Sequence, residues 1–265
     1  MIDELLARIF FNQWMVLLLV TGLLLVLAES GYRFGLGALR RDAETAKGHS
    51  GAVQGAVLGL LGLLLGFSFA MSVGRYDARR SLVVEEANSI GTTWLQAEFL
   101  PAPHDTAVRE LLLRYTRLRV ARFKSGEVPE KSASFRQEVA ALHHSLWAEG
   151  AAAAKAQPSP LTASFITSLN ETIDLDATRM AALRNHVPGT VWLLLLVVAG
   201  CGAWASGYGS GTGGIRSVFN QYIFPLLIGV VITLITDIDR PRQGIIGVSQ
   251  QPMEELLDSI QPPPP

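Results

Sequence analysis

Apolar and polar positions along this chain fall into blocks. Four stretches lack charge over about the length a spanning helix needs, roughly 20 residues: Phe11 to Ala28, Gly51 to Ala70, Gly189 to Ser206 and Val218 to Thr236. Trp14, Trp192, Trp204 and Tyr222 lie near the ends of these stretches, where amphipathic rings prefer the membrane interface. An even number of spans puts both termini and the region between the second and third spans on one side. The second stretch carries glycine at 51, 55, 59, 62 and 66. At about 100° per residue these steps of four, four, three and four confine Gly51, Gly55, Gly59, Gly62 and Gly66 to an arc of roughly 80°. In water each would cost about 1 kcal/mol against alanine, whereas in lipid a face of small residues lets backbones approach closely.

The polar block reads as helical. Leu111, Leu112, Tyr115, Leu118 and Val120 recur near helical spacing, and Pro101, Pro103, Gly126, Pro129, Pro158 and Pro160 punctuate the segments. Ser159-Pro160 has the form of an N-cap followed by an N1 proline, opening a helix that can run to His186. "RYDARRSLVVEEANSIGTTWL" predicts an extension of the second span, and "QPMEELLDSI" a short helix before the extended tail "QPPPP". No stretch alternates with the period of a strand. The expected fold is all-α: a first transmembrane pair with its loop (1–74), a helical extramembrane domain (75–187), a second transmembrane pair (188–236) and a C-terminal segment with a Pro-rich tail (237–265).

Composition supports the membrane class. The 265 residues are 49% hydrophobic and 17% charged, against about 25% charged in soluble domains, and the mean hydropathy is positive. Residues 75 to 187 hold 14 Lys/Arg and 13 Asp/Glu. The single cysteine, Cys201, lies in an apolar run and reads as a packing residue. Val26 and Ala28 would suit a signal-peptide cleavage site, but "MIDELLARIF" carries two acids and one Arg where a signal wants net positive charge; the first span is expected to be retained. Arg8, Arg75, Arg79, Arg80, Arg179, Arg184, Arg240 and Arg242 flank the spans on the side of the termini, against Arg33, Arg40, Arg41, Lys47 and Arg216 on the other. That excess places the termini and the central domain in the cytoplasm, although the short first loop is itself basic.

Candidate chemistry is sparse. The glycine stripe, continued by Ala70, fits either a tight contact within one chain or packing between copies around a narrow axial path. Leu63, Phe67 and Met71, at i, i+4 and i+8, fit either an apolar gate that acts by dewetting or a row facing lipid. Gln54 is the one strongly polar side chain well inside the second span, and no charged residue there marks a proton relay. His143-His144 lack the i, i+4 spacing of a zinc pair, and Glu85-Glu86 read as a solvated face or as partners of Arg79 and Arg80, with an acid or metal site completed by Asn88 as the sharper alternative. Asp237 and Asp239 beside Arg240 form an ion pair or, more sharply read, an ion-binding turn. "GSGTGG" (209–214) lacks the Lys-Ser/Thr of a phosphate loop and reads as a flexible connection. The Arg-rich stretch from Val108 to Lys124 reads as a solvated face or a surface for anionic lipid. Neither a cofactor nor a metal is called for, and no set of nucleophile, base and ligand suggests an enzyme.

The segments "GLLGLLLGFSFAMSVGRYDARRSLVVEEANSIGTTWLQAEFLP" (59–101), "ALRNHVP" (182–188) and "DIDRPRQGIIGVSQQP" (237–252) resemble the bestrophin-like family of bacterial membrane proteins. More remotely, "LLLGFSFAMSVGRYDARR" is similar to the pore-helix run of the bestrophin anion channels, with Leu65-Gly66-Phe67 and Arg75-Tyr76 as the matching steps. This resemblance implies a pentamer with an apolar neck, Phe67 and Leu63 as neck residues, and Gly59 where a bulkier residue would be expected. The acidic calcium clasp of animal bestrophins is reduced here to Asp237 and Asp239 before Arg240-Pro241, a departure from that pattern. The expected function is therefore an oligomeric anion channel of the bacterial inner membrane. The alternative is a non-conducting scaffold or sensor whose central domain binds an unidentified protein; the expected surroundings are the lipid bilayer and further copies of the chain, not nucleic acid.

Overall fold

A computed structural model describes residues 13–41, 50–124, 133–240 and 246–261. Gly126, Pro129, the n-region and the Pro-rich tail (262–265) lie outside the described residues. Helices α1 (Gln13–Arg41), α2 (Ser50–Gln96), α3 (His104–Lys124), α4 (Ala133–Ala156), α5 (Pro160–Arg184), α6 (Gly189–Thr212), α7 (Phe224–Asp239) and α8 (Gln251–Ile260) account for most of them. No strand occurs among the described residues. Four helical stretches are long and apolar enough to cross a membrane, so the chain is an all-α, four-span membrane protein with a helical extramembrane domain between spans two and three. It divides into two compact units, one of residues 1–74 and 186–247, the other of residues 75–185 and 248–265.

In the membrane unit, α1 and α6 meet along a seam without side chains. "GYRFG" (31–35) faces "GYGSG" (207–211): a Cβ at Gly31 would collide with the Trp204 carbonyl, one at Gly35 with that of Tyr208, one at Gly207 with that of Ala28, and one at Gly211 with that of Tyr32. The close approach corrects two expectations. The segment 209–214, expected as a flexible connection, is helical through Thr212, because packing of Gly211 against α1 outweighs the poor helix propensity of glycine. The first span likewise continues to Arg41 instead of ending near Ala28, with Gly31 and Gly35 in the seam and Glu29 paired to Arg33 one turn on. Around the seam, Leu24, Ala28, Leu61, Leu65, Leu195, Ala199, Ala203, Ile232 and Ile235 form the apolar core.

Before α7 the backbone widens into a π-turn, Phe219–Ile223. Pro225 has no N–H to donate to residue 221 and its ring crowds that carbonyl, a recognised cause of such widening. The turn brings the Gln221 amide onto the Glu29 carboxylate (2.9 Å), which also accepts from Arg216 (2.6 Å) and Arg33 (2.8 Å).

The extramembrane unit is built on the second half of α2 with α3, α4, α5 and α8. Ile90, Leu112, Tyr115, Phe135, Leu146, Phe165, Leu169 and Met253 are almost fully buried in its core. Ser159 caps α5 as its sequence implies: its side chain accepts from the Thr162 N–H, and Thr162 Oγ1 accepts from the Ser159 N–H. The other end of α5 is closed from α2, where Arg79 donates to the carbonyls of Ala182 (3.2 Å) and Asn185 (2.8 Å). A cation at the carbonyl end of a helix also complements its dipole.

Candidate functional site: an open helix face and a buried ion cluster

Helix α2 presents two different sides within the membrane unit. Leu61 and Leu65 are buried, and Leu58 and Leu61 pack onto Gly202 of α6. Ser68 and Ser72 continue this buried side, and the glycine stripe and the row of Leu63, Phe67 and Met71 lie off it. A Cβ added at Gly51, Gly55, Gly59, Gly62 or Gly66 meets nothing within 4 Å, and Leu63, Phe67 and Met71 are 54%, 62% and 37% exposed. Within a single chain the stripe therefore makes no close helix contact, and the tight glycine packing is made by Gly31, Gly35, Gly207 and Gly211. These four were legible as paired G-x-x-x-G steps in "GYRFG" and "GYGSG", but only contact between the helices shows that they face each other. Cys201, exposed, lies with Leu27, Val57 and Trp204 along an apolar groove beside α6.

The remaining candidates separate. Asp239 accepts from the Val187 N–H with both oxygens (3.1 Å), and Asp237 accepts from the Ile246 N–H (3.1 Å); both carboxylates join backbone segments at the end of the last span. Glu86 departs most from expectation. It is fully buried and pairs not with Arg79 or Arg80 but with Arg119 (2.8 Å) and Arg179, while the Tyr115 hydroxyl donates to it (2.8 Å). Arg119 also holds Asp176 (2.6 Å), and Arg179 donates onward to Gln250 beside α8. Burial alone would raise the Glu86 pKa, but the two guanidiniums outweigh it and hold the carboxyl at about 2. The Arg-rich stretch is consequently not a uniform solvated face: Arg119 is internal, Arg109 lies over Trp94 and Arg122 over Phe135.

His144 is exposed, whereas the half-buried His143 ring lies tilted against Tyr115 with centroids 5.1 Å apart. Burial lowers the pKa of His143, against the opposing pull of Asp176. Four hydroxyls, Ser89, Thr93, Ser168 and Thr172, bond to one another across α2 and α5 at 2.7 to 2.9 Å. Among the described residues no group of three or more His, Cys, Asp or Glu side chains could hold a metal ion.

A charge-free, glycine-faced spanning helix prolonged into an ion-paired helical domain defines a class of helical membrane protein, and comparison with known proteins gives the family. The model of the bestrophin-like domain matches residues 22–253, and the chain belongs to this family. Its fold is similar to a bestrophin homologue from Klebsiella pneumoniae, at 15% identity and a TM-score of 0.61, over 89% of this chain and 94% of that one. A single-substitution variant of that homologue gives 13%, 0.64, 91% and 96%. Another structure, described only as a membrane protein, gives 13%, 0.65, 91% and 95%. No curated protein matches.

Proposed function

We propose that copies of this chain assemble in the bacterial inner membrane into an ion channel, with α2 around its axis. One observation carries the reading. Five glycines on one face of α2, and the apolar row Leu63, Phe67 and Met71 on another, lie open within the chain. Facing lipid, the row would be ordinary, but the glycines would weaken the helix and bury almost nothing. Against another copy they allow close backbone packing. Converging Leu63, Phe67 and Met71 side chains then form a constriction that gates by dewetting. On this reading the assembly is a pentamer, which the family resemblance supports, with the termini and the extramembrane domain in the cytoplasm, which the balance of flanking Arg supports. Asp237 and Asp239 take no part in the proposal, since their oxygens accept backbone N–H groups.

The test is ion flux from purified protein in liposomes, wild type against Phe67→Ala. Flux altered by the substitution supports the channel. Folded, oligomeric protein without flux above empty liposomes, at several pH values and calcium concentrations, would turn the reading to the non-conducting scaffold.

A further inference from the structure

Within the membrane unit, helices α1, α2 and α6 leave an apolar groove of about 450 Å³ between them. Val53 and Val57 of α2 line it, with Leu27 of α1 and Leu196, Cys201 and Ala205 of α6. Each of the two valines stands two residues, hence about 160° round the helix, from the glycines nearest it in sequence, Gly51, Gly55 and Gly59. The groove and the glycine stripe therefore lie on nearly opposite sides of α2.

The dimensions of the groove fit a hydrocarbon chain and not a helix. On α6 the lining runs from Leu196 to Ala205, roughly 13.5 Å at the rise of a helix, close to the depth of one leaflet of the hydrocarbon core, about 15 Å. Spread over that length, the volume gives a mean cross-section of roughly 33 Å², whereas a helix about 10 Å across takes roughly 80 Å². Trp204 stands at one end of the lining, stacked on Tyr208 and with the Phe34 ring 6.4 Å away. Such rings favour the interface, so the groove descends from there toward the bilayer midplane at Leu196.

A cation completes the pattern. Leu27, Phe34 and Arg41 follow one another at steps of seven, close to two turns each, so a groove residue, an interfacial ring and an exposed guanidinium form one row along α1. Arg33 and Arg216 are engaged by Glu29, which lies about 160° round α1 from Leu27; Asp42 and Glu44 lie outside the described residues. An arginine above an apolar groove is complementary to a lipid phosphate. We propose that the groove holds one acyl chain of a phospholipid from the leaflet on the side of the α1–α2 and α6–α7 loops, with its phosphate on Arg41. The bound chain joins α2 to the α1–α6 pair across a gap left open among the described residues. This site does not depend on whether the protein conducts ions.

The experiment is native mass spectrometry of the full chain, reconstituted in vesicles of phosphatidylethanolamine and phosphatidylglycerol and released in mild detergent. It compares wild type with Cys201→Trp, which fills the groove, with Arg41→Gln, which leaves the apolar walls intact, and with Arg40→Gln as a control about 100° off the row. The expected result is about one phospholipid retained per chain in wild type and control, none with Cys201→Trp, and a ratio of lipid-bound to free chain about fivefold lower with Arg41→Gln. Should Cys201→Trp not fold, the exposed Arg41 position still carries the test. Wild type without retained phospholipid, or retention indifferent to both substitutions, overturns the inference. A changed oligomer size with Cys201→Trp at unchanged lipid content overturns it in favour of a second copy in the groove.

Discussion

The α1–α6 seam and the α2 stripe are made of the same residue at the same helical spacing, and they do opposite things within the chain. In the seam every glycine is met by a backbone carbonyl of the facing helix, so there is no room for even a methyl group. On α2 every glycine is met by nothing. Spacing therefore shows that a helix can be approached closely, and only the contact shows by what. The seam closes within one chain. The stripe closes on nothing within the chain, and in the proposed assembly a second copy would meet it.

That contrast can be broken most severely at the seam. Gly207→Leu drives a side chain into the α1 backbone, where no rotamer relieves it, and is expected to cost more than about 3 kcal/mol, the upper range for overpacking; loss of monodisperse protein after extraction is the readout. The extramembrane unit has its own weak point of similar size. Glu86→Ala leaves Arg179 buried without a counter-ion and Arg119 with Asp176 alone, and is expected to cost about 3–5 kcal/mol, read as a lowered denaturant midpoint. The same pair sets an acid limit. Because the Glu86 pKa is lowered to about 2 from an ordinary 4.5, its contribution is complete above pH 4.5 and is lost as pH falls toward 2.

On the stripe the expectation is reversed. At Gly59 an added Cβ meets no atom of its own chain within 4 Å, so Gly59→Leu should leave helix content and thermal unfolding of the single chain unchanged while disrupting the oligomer, measured by light scattering in nanodiscs; wild-type oligomer size in this variant would sink the packing account. Ser159→Ala is a smaller change, about 1 kcal/mol for the loss of a helix cap, visible as a modest drop in the unfolding midpoint. The smallest effect concerns His143. Its lowered pKa means that the folded unit binds fewer protons there than the unfolded chain. Stability should decline as pH falls below about 6.5, and His143→Phe should flatten that slope.

Much of this architecture was readable before any coordinates. The four apolar blocks, the α5 cap and the short C-terminal helix follow from local rules of length, capping and breakers, which the neighbours do not override. Residues 209–212 were misread for the converse reason. Glycine favours a loop only until a partner helix occupies the space that its missing side chain leaves. Glu86 was illegible because Arg119 and Arg179 are distant in sequence and are brought to it only by the packing of α3 and α5. Its neighbour Glu85 differs from it by one position, and one position on a helix is enough to turn a side chain from core to surface.

The contact between Arg179 and Gln250, together with Met253 in the same core, bears on the order of synthesis. Residues 248–261 leave the ribosome after all four spans have been made, yet they complete a unit whose other helices were translated some sixty residues and more earlier. Domains generally fold as they emerge, but this unit is complete only when its last segment has been made, and a nascent chain arrested after the fourth span would lack Val248 and Met253 from that core.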